Sequence, residues 1–141
     1  MFSDRQTPKT LRQILSQNCT PSDALVDDLE KAARLVHTPK GRDIVRQGEV
    51  CDDFVFIRRG LMRVSHTAGE TEDTILFGTS GDVFTSLHSY HAHEPAVFSL
   101  ITVEDAEVWL VSYANMKRIL ATHHDMLLWM HDLMIEQIYA F

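Results

Sequence analysis

Apolar residues change their spacing twice along this chain, and the changes divide it into helix, strands and helix. Residues 1–21 are mostly polar, and the spacing of Leu11, Ile14 and Leu15 predicts a short helix ahead of Pro21. Ser22 then reads as a helix N-cap, with Leu25, Leu29, Ala32, Ala33 and Val36 on one helical face. This second helix is expected to end near His37, because Pro39 disfavours helical backbone before it.

From Gly41 the apolar residues fall in short runs. Ile44–Val45, Phe54–Ile57, Leu61–Val64, Thr74–Phe77, Val83–Phe84, Ala96–Val103 and Glu107–Val111 are separated by glycines, Pro95 and the acidic pair Glu104–Asp105. Short β-branched and aromatic runs punctuated in this way predict an all-β barrel or sandwich. Gly48 and Gly60 stand where tight turns need positive φ.

After Tyr113 there is neither glycine nor proline. Met116, Ile119 and Leu120 suit a short helix. Leu127, Met130, Met134, Ile138 and Phe141 then recur at helical spacing, and Leu128, Trp129, Leu133, Ile135 and Tyr139 widen the apolar surface beyond one face. A helix apolar on more than one side needs two packing surfaces. The strands could supply one and a second copy of the helix the other.

The stretch 38–111 resembles the cyclic-nucleotide-binding domain of bacterial Crp/Fnr transcription regulators. Lys40-Gly41-Arg42-Asp43-Ile44-Val45-Arg46-Gln47-Gly48-Glu49 is similar to the family's strand, turn and Gln-Gly-Glu corner. Phe54 to Val64 resembles its aromatic strand, glycine turn and return strand. Gly81-Asp82-Val83-Phe84 resembles the opening of its phosphate-binding cassette, and Thr102 to Val111 the acidic turn and closing strand. The resemblance implies a mainly β fold with flanking helices, a double-stranded β-helix (jelly-roll) barrel of the cyclic-nucleotide-binding type followed by a long dimerisation helix. It divides the chain into an N-terminal helical segment (1–37), the barrel (38–112) and C-terminal helices (113–141).

Nucleotide-binding members resemble Phe-Gly-Glu-Leu at the start of the cassette and Arg-Ser/Thr-Ala at its end. Their Glu accepts a ribose hydroxyl and their Arg pairs with the cyclic phosphate. Here the cassette reads Phe84-Thr85-Ser86-Leu87 and Glu94-Pro95-Ala96-Val97. Aligned without a gap, Ser86 stands at the Glu position and Ala96 at the Arg position. A charge-assisted pair to an anion contributes about 1.5–3 kcal/mol, and an unpaired buried phosphate costs more. Glu94 adds repulsion, and Pro95 removes a backbone donor. Phe84, Thr85, Ser86, Leu87, Ala96 and Val97 are therefore expected to line a pocket that takes no cyclic nucleotide in the usual way. The barrel then either senses an unidentified small-molecule effector or no longer senses anything, and no cofactor is expected.

Composition changes the picture in two places. With 20 acidic against 13 basic side chains the formal charge is −7, a poor basis for contacting phosphates. DNA contact is expected only through a helix-turn-helix missing from these residues, and an apolar run ending at Phe141 suggests truncation. Two cysteines, Cys19 and Cys51, build neither a disulfide framework nor an iron–sulfur site. With no apolar signal core or membrane-length run, the expectation is a cytoplasmic homodimer paired through Leu127, Met130, Met134, Ile138 and Phe141.

Two clusters leave alternatives open. His88, His91 and His93, beside Glu94, offer a metal spacing similar to that of cupins, which would make the chain a metal-binding protein or enzyme. The cupin spacing to Glu is longer, and a polar loop is the simpler reading. Arg42, Arg46, Arg58, Arg59 and Arg63 form the main basic group, which is a solvated face, an anion site or a contact with polymerase or another partner. His124 and His131 share a face of the last helix, and His123 lies just ahead of it. No nucleophile elbow or phosphate loop is present, so an enzyme is not expected.

Overall fold

The computed structural model describes residues 6–140, so the expected dimer-helix residue Phe141 lies outside the described residues. Two short helices open the fold. In α1 (Leu11–Leu15) the Thr10 hydroxyl caps the Gln13 N–H while the Gln13 side chain returns to the Thr10 N–H, closing a capping box. Ser22 caps α2 (Asp23–Ala32), which buries Leu25, Val26 and Leu29.

The second helix stops earlier than its apolar spacing predicts. Ala33 already has extended backbone, and Arg34–Thr38 forms strand β1, paired antiparallel with residues 106–110. Helix and strand compete for Val36, and cross-strand pairing with Val108 decides it. The β-structure thus begins at Arg34, ahead of the expected residue 38.

The remaining strands are β2 (Asp43–Val45), β3 (Asp53–Arg59), β4 (Leu61–Ala68), β5 (Thr71–Thr79), β6 (Val83–Phe84), β7 (Ser99–Thr102) and β8 (Ala106–Ser112). They form two antiparallel four-stranded sheets, ordered β1-β8-β3-β6 and β2-β7-β4-β5. The expected barrel is therefore not closed. Edge strands β2 and β6 have only three and two residues, too few to carry a ladder around the ends.

Strand β3 joins the two cores of the molecule. Its alternate residues Val55 and Ile57 point between the sheets, with Val45, Met62, Val64, Leu100 and Val108. Phe54 and Phe56 point outward and meet the helices, with Leu15, Leu25, Ile119 and Trp129. Four consecutive buried residues in one strand follow from this double cover. The turn from β3 to β4 requires Gly60, at φ 119°, where a Cβ would lie 2.4 Å from that of Ala106.

Three helices complete the fold: α3 (Leu87–Ala92), α4 (Tyr113–Thr122) and α5 (His124–Ala140). At 17 residues α5 extends about 25 Å. It presents Met126, Trp129, Met130 and Leu133 to the core, with Trp129 stacked on Phe56 at 5.5 Å. The expected dimer stripe is divided by this packing. Met130 is buried in the fold and Met134 half-buried, whereas Leu127 and Ile138 are exposed beside Leu128, Ile135 and Tyr139.

Candidate functional site

The cassette 84–97 folds as strand β6, helix α3 and an extended return. Ser86 starts the helix: its hydroxyl accepts from the Ser89 N–H at 3.2 Å. Its carbonyl accepts from the Tyr90 N–H at 2.9 Å. His93 ends the helix in the left-handed region at φ 57°. The Ser89 hydroxyl donates to the Glu94 carbonyl at 2.6 Å and accepts from the Cys51 N–H at 3.0 Å, which fixes α3 to the loop before β3.

Tyr113, the first residue of α4, reaches the start of the cassette. Its hydroxyl lies 2.9 Å from Thr85 Oγ1 and donates to the Ser86 carbonyl at 3.3 Å, so it accepts from Thr85. Burial holds the Tyr113 phenol well above its ordinary pKa, with Cys51 adding to the shift, so it remains a neutral donor. Its ring meets Phe54 and Tyr90 edge-on, at 5.5 and 5.1 Å. Nothing in the sequence marks Tyr113 for this role, or Ser89 for its hold on Cys51, because those partners lie far away in the chain.

A cavity of about 230 Å³ opens between the cassette and α5. Residues 84–88, Val97 and Phe98 form one wall, and Gln137 and Ile138 of α5 form the other. Five of the six expected pocket residues line it. Ala96 does not: it is buried between the sheets, its N–H donating to the Glu49 carbonyl and its carbonyl accepting from the Gly48 N–H. The Gln-Gly-Glu corner thus braces the end of the cassette. No Lys, Arg, Asp or Glu is among the described lining residues. A second cavity of about 210 Å³, between α1, β5 and α5, is lined in part by Asp82 and Glu136.

The other candidates are dispersed. His88, His91 and His93 are all exposed along α3 and its cap, and no group of metal-ligating side chains forms among the described residues. Arg58 and Arg59 both contact Glu107, at 2.7 and 2.6 Å. Arg46 bridges Asp43 and Glu49, and Arg63 pairs with Glu72. The basic group is thus largely neutralised by carboxylates. His123 contacts Asp28 at 3.0 Å, and Arg118 holds the same carboxylate with two hydrogen bonds. His131 lies 3.2 Å from its neighbour Asp132, and His124 is exposed. Cys19 and Cys51 are both free thiols.

The model of the cyclic nucleotide-binding domain family matches residues 35–123. Among solved structures, a cyclic nucleotide-binding domain from Methylobacillus flagellatus is similar with TM-score 0.82 and 14% identity, over 92% of this chain and 77% of that one. The catabolite activator protein of Thermus thermophilus is similar with TM-score 0.75 and 18% identity, over 84% of this chain and 55% of that one. The sensor domain of the transcriptional regulator DNR from Pseudomonas aeruginosa is similar with TM-score 0.74 and 17% identity, over 89% and 83% respectively. At these identities the likeness is one of fold. Comparison with curated protein sequences finds no match. With its sheets from residue 35 onward, its cassette and the first following helix inside the matched stretch, the chain belongs to the cyclic nucleotide-binding domain family.

Proposed function

We propose that this chain is the sensing and dimerisation part of a Crp/Fnr-like transcription regulator whose pocket does not take a cyclic nucleotide in the family's usual way. One observation carries the reading: the cavity at the cassette has no cation among its described lining residues. Ser86 is committed to capping α3, and Ala96 is buried between the sheets. A cyclic phosphate entering here would lose its hydration without gaining a charged partner, which costs more than the remaining contacts return.

The regulator assignment is supported by the family match and by fold likeness to a catabolite activator and to a regulator's sensor domain. Dimerisation is supported by Leu127, Leu128, Ile135, Ile138 and Tyr139, which leave one side of α5 apolar and exposed. DNA contact in this reading belongs to a helix-turn-helix outside these 141 residues, since a charge of −7 opposes it here. Such a regulator works in the bacterial cytoplasm. No described helix is long and apolar enough to cross a membrane. The metalloenzyme alternative finds no support in three exposed histidines.

Titration calorimetry with cAMP and cGMP tests the pocket, and light scattering tests the assembly. No saturable heat below about millimolar nucleotide is expected, together with a dimer at micromolar chain. Low-micromolar nucleotide binding would overturn the pocket reading, and a monomer would overturn the dimer.

A further inference from the structure

We infer that the cavity between the cassette and α5 is a binding site for a small uncharged apolar molecule, of about the size of a bicyclic aromatic. The inference rests on the sensor reading above and names the class of effector. Three features of the wall support it.

First, the wall is carbon. Phe84, Leu87, Val97, Phe98 and Ile138 supply most of it. Second, its polar side chains are engaged by the protein. Thr85 is held by Tyr113, Ser86 caps the Ser89 N–H, and Gln137 donates to the Val83 carbonyl at 3.4 Å. His88 is the remaining polar side chain, exposed at the rim. A charged ligand entering this site would be desolvated without compensation, whereas an apolar one exchanges water contact for carbon contact. Third, the space is limited. An apolar cavity of about 150 Å³ holds benzene, while sites for drug-sized ligands begin near 300 Å³. This cleft of about 230 Å³ is partly open to solvent, so the part of a ligand that it can enclose falls between those limits.

The position also gives the occupant something to do. It would touch α3 through Leu87 and α5 through Ile138, so its affinity depends on the spacing between the two helices.

The test uses the intact chain with two probes of similar shape and different charge, indole and indole-3-acetate. Two-dimensional NMR should show saturable shifts for indole at the Val97 and Ile138 methyls, with indole-3-acetate at least tenfold weaker. Val97→Trp, which fills the cavity, should weaken indole at least tenfold. Should that variant not fold, intermolecular NOEs from indole protons to the Val97 and Ile138 methyls in the unaltered chain decide the same question. Equal or tighter binding of the anion would overturn the inference, as would the absence of indole binding. In either case the reading of a pocket that takes no cyclic nucleotide stands or falls separately, on the cyclic-nucleotide titration.

Discussion

Removing one hydroxyl should show how firmly the cassette is tied to the C-terminal helices. Tyr113→Phe deletes the phenol that accepts from Thr85 Oγ1 at 2.9 Å and donates to the Ser86 carbonyl at 3.3 Å. The two partners are affected unequally. Ser86's carbonyl keeps the Tyr90 N–H at 2.9 Å, whereas the Thr85 hydroxyl, only 3% exposed, loses the partner that held it. An orphaned buried hydroxyl costs about 1–3 kcal/mol, and the longer bond to Ser86 adds little because its acceptor remains satisfied. The single change should therefore destabilise by about 1–2 kcal/mol. Thr85→Val leaves the phenol its bond to Ser86 and should cost about 1 kcal/mol or less. The double variant removes both halves of the contact and leaves no orphan, so its cost should fall below the sum of the singles by roughly 1 kcal/mol. Urea denaturation followed by tryptophan fluorescence and far-UV dichroism measures all four corners. Each 1 kcal/mol should move the melting midpoint by about 3–5 °C at this chain length. Strict additivity of the two changes would refute the idea that this bond couples cassette and helix. So would a Tyr113→Phe variant as stable as the parent.

Three further changes probe other parts of the same framework. Trp129→Ala empties a fully buried site stacked on Phe56 and should cost about 3–5 kcal/mol, read as a lowered urea midpoint. Gly60→Ala meets both the φ of 119° and the Ala106 Cβ, and should fall with the severe substitutions, above about 2 kcal/mol, with loss of soluble yield. The Asp28 carboxyl is held below its usual range by the Arg118 guanidinium, with His123 assisting. A depressed folded pKa means that its contribution is present above the ordinary carboxylate range and is lost as pH falls through the lower folded value. Asp28→Asn should therefore cost about 0.2–1 kcal/mol at pH 7 and progressively less on acidification below pH 4, as measured by thermal melts across that range.

Much of the fold is legible because it rests on local signals. The strand runs, the Ser22 cap and the positive φ at Gly48 and Gly60 each depend on a few neighbouring residues. The early end of α2 is not legible, since Val36 suits a helix face as well as a strand and pairing with residue 108 decides between them. The same limit applies to α5. Its apolar spacing is plain, but which residues face inward depends on where Phe56 lies, and this puts Trp129 and Leu133 in the core and Ile138 outside. At the site, the missing Glu and Arg are visible in the sequence. The engagement of Ser86, the withdrawal of Ala96 from the cavity and the closing of its far wall by Gln137 and Ile138 all require contacts across the fold.

That far wall constrains how any signal would travel. An effector shifts an equilibrium only by the difference in its affinity for two states, so a pocket confined to the sheets could be filled without moving anything. Here the cavity is shared between the cassette and the last turns of α5, beside the exposed residues Ile135, Ile138 and Tyr139. The proximal part of α5 is held down by Trp129 and Leu133, and the break at His123 is tied to α2 through Asp28. The distal end is tied by hydrogen bonds, from Asn18 to Glu136 at 2.9 Å and from Gln137 to the Val83 carbonyl at 3.4 Å, and there the cavity wall and the exposed apolar face share Ile138. Filling the cavity would act there on Ile138 directly, and in the dimer proposed above any change in its position would alter the surface that pairs with the second copy. Coupling of this proposed kind would need no long pathway, because Ile138 belongs to both surfaces.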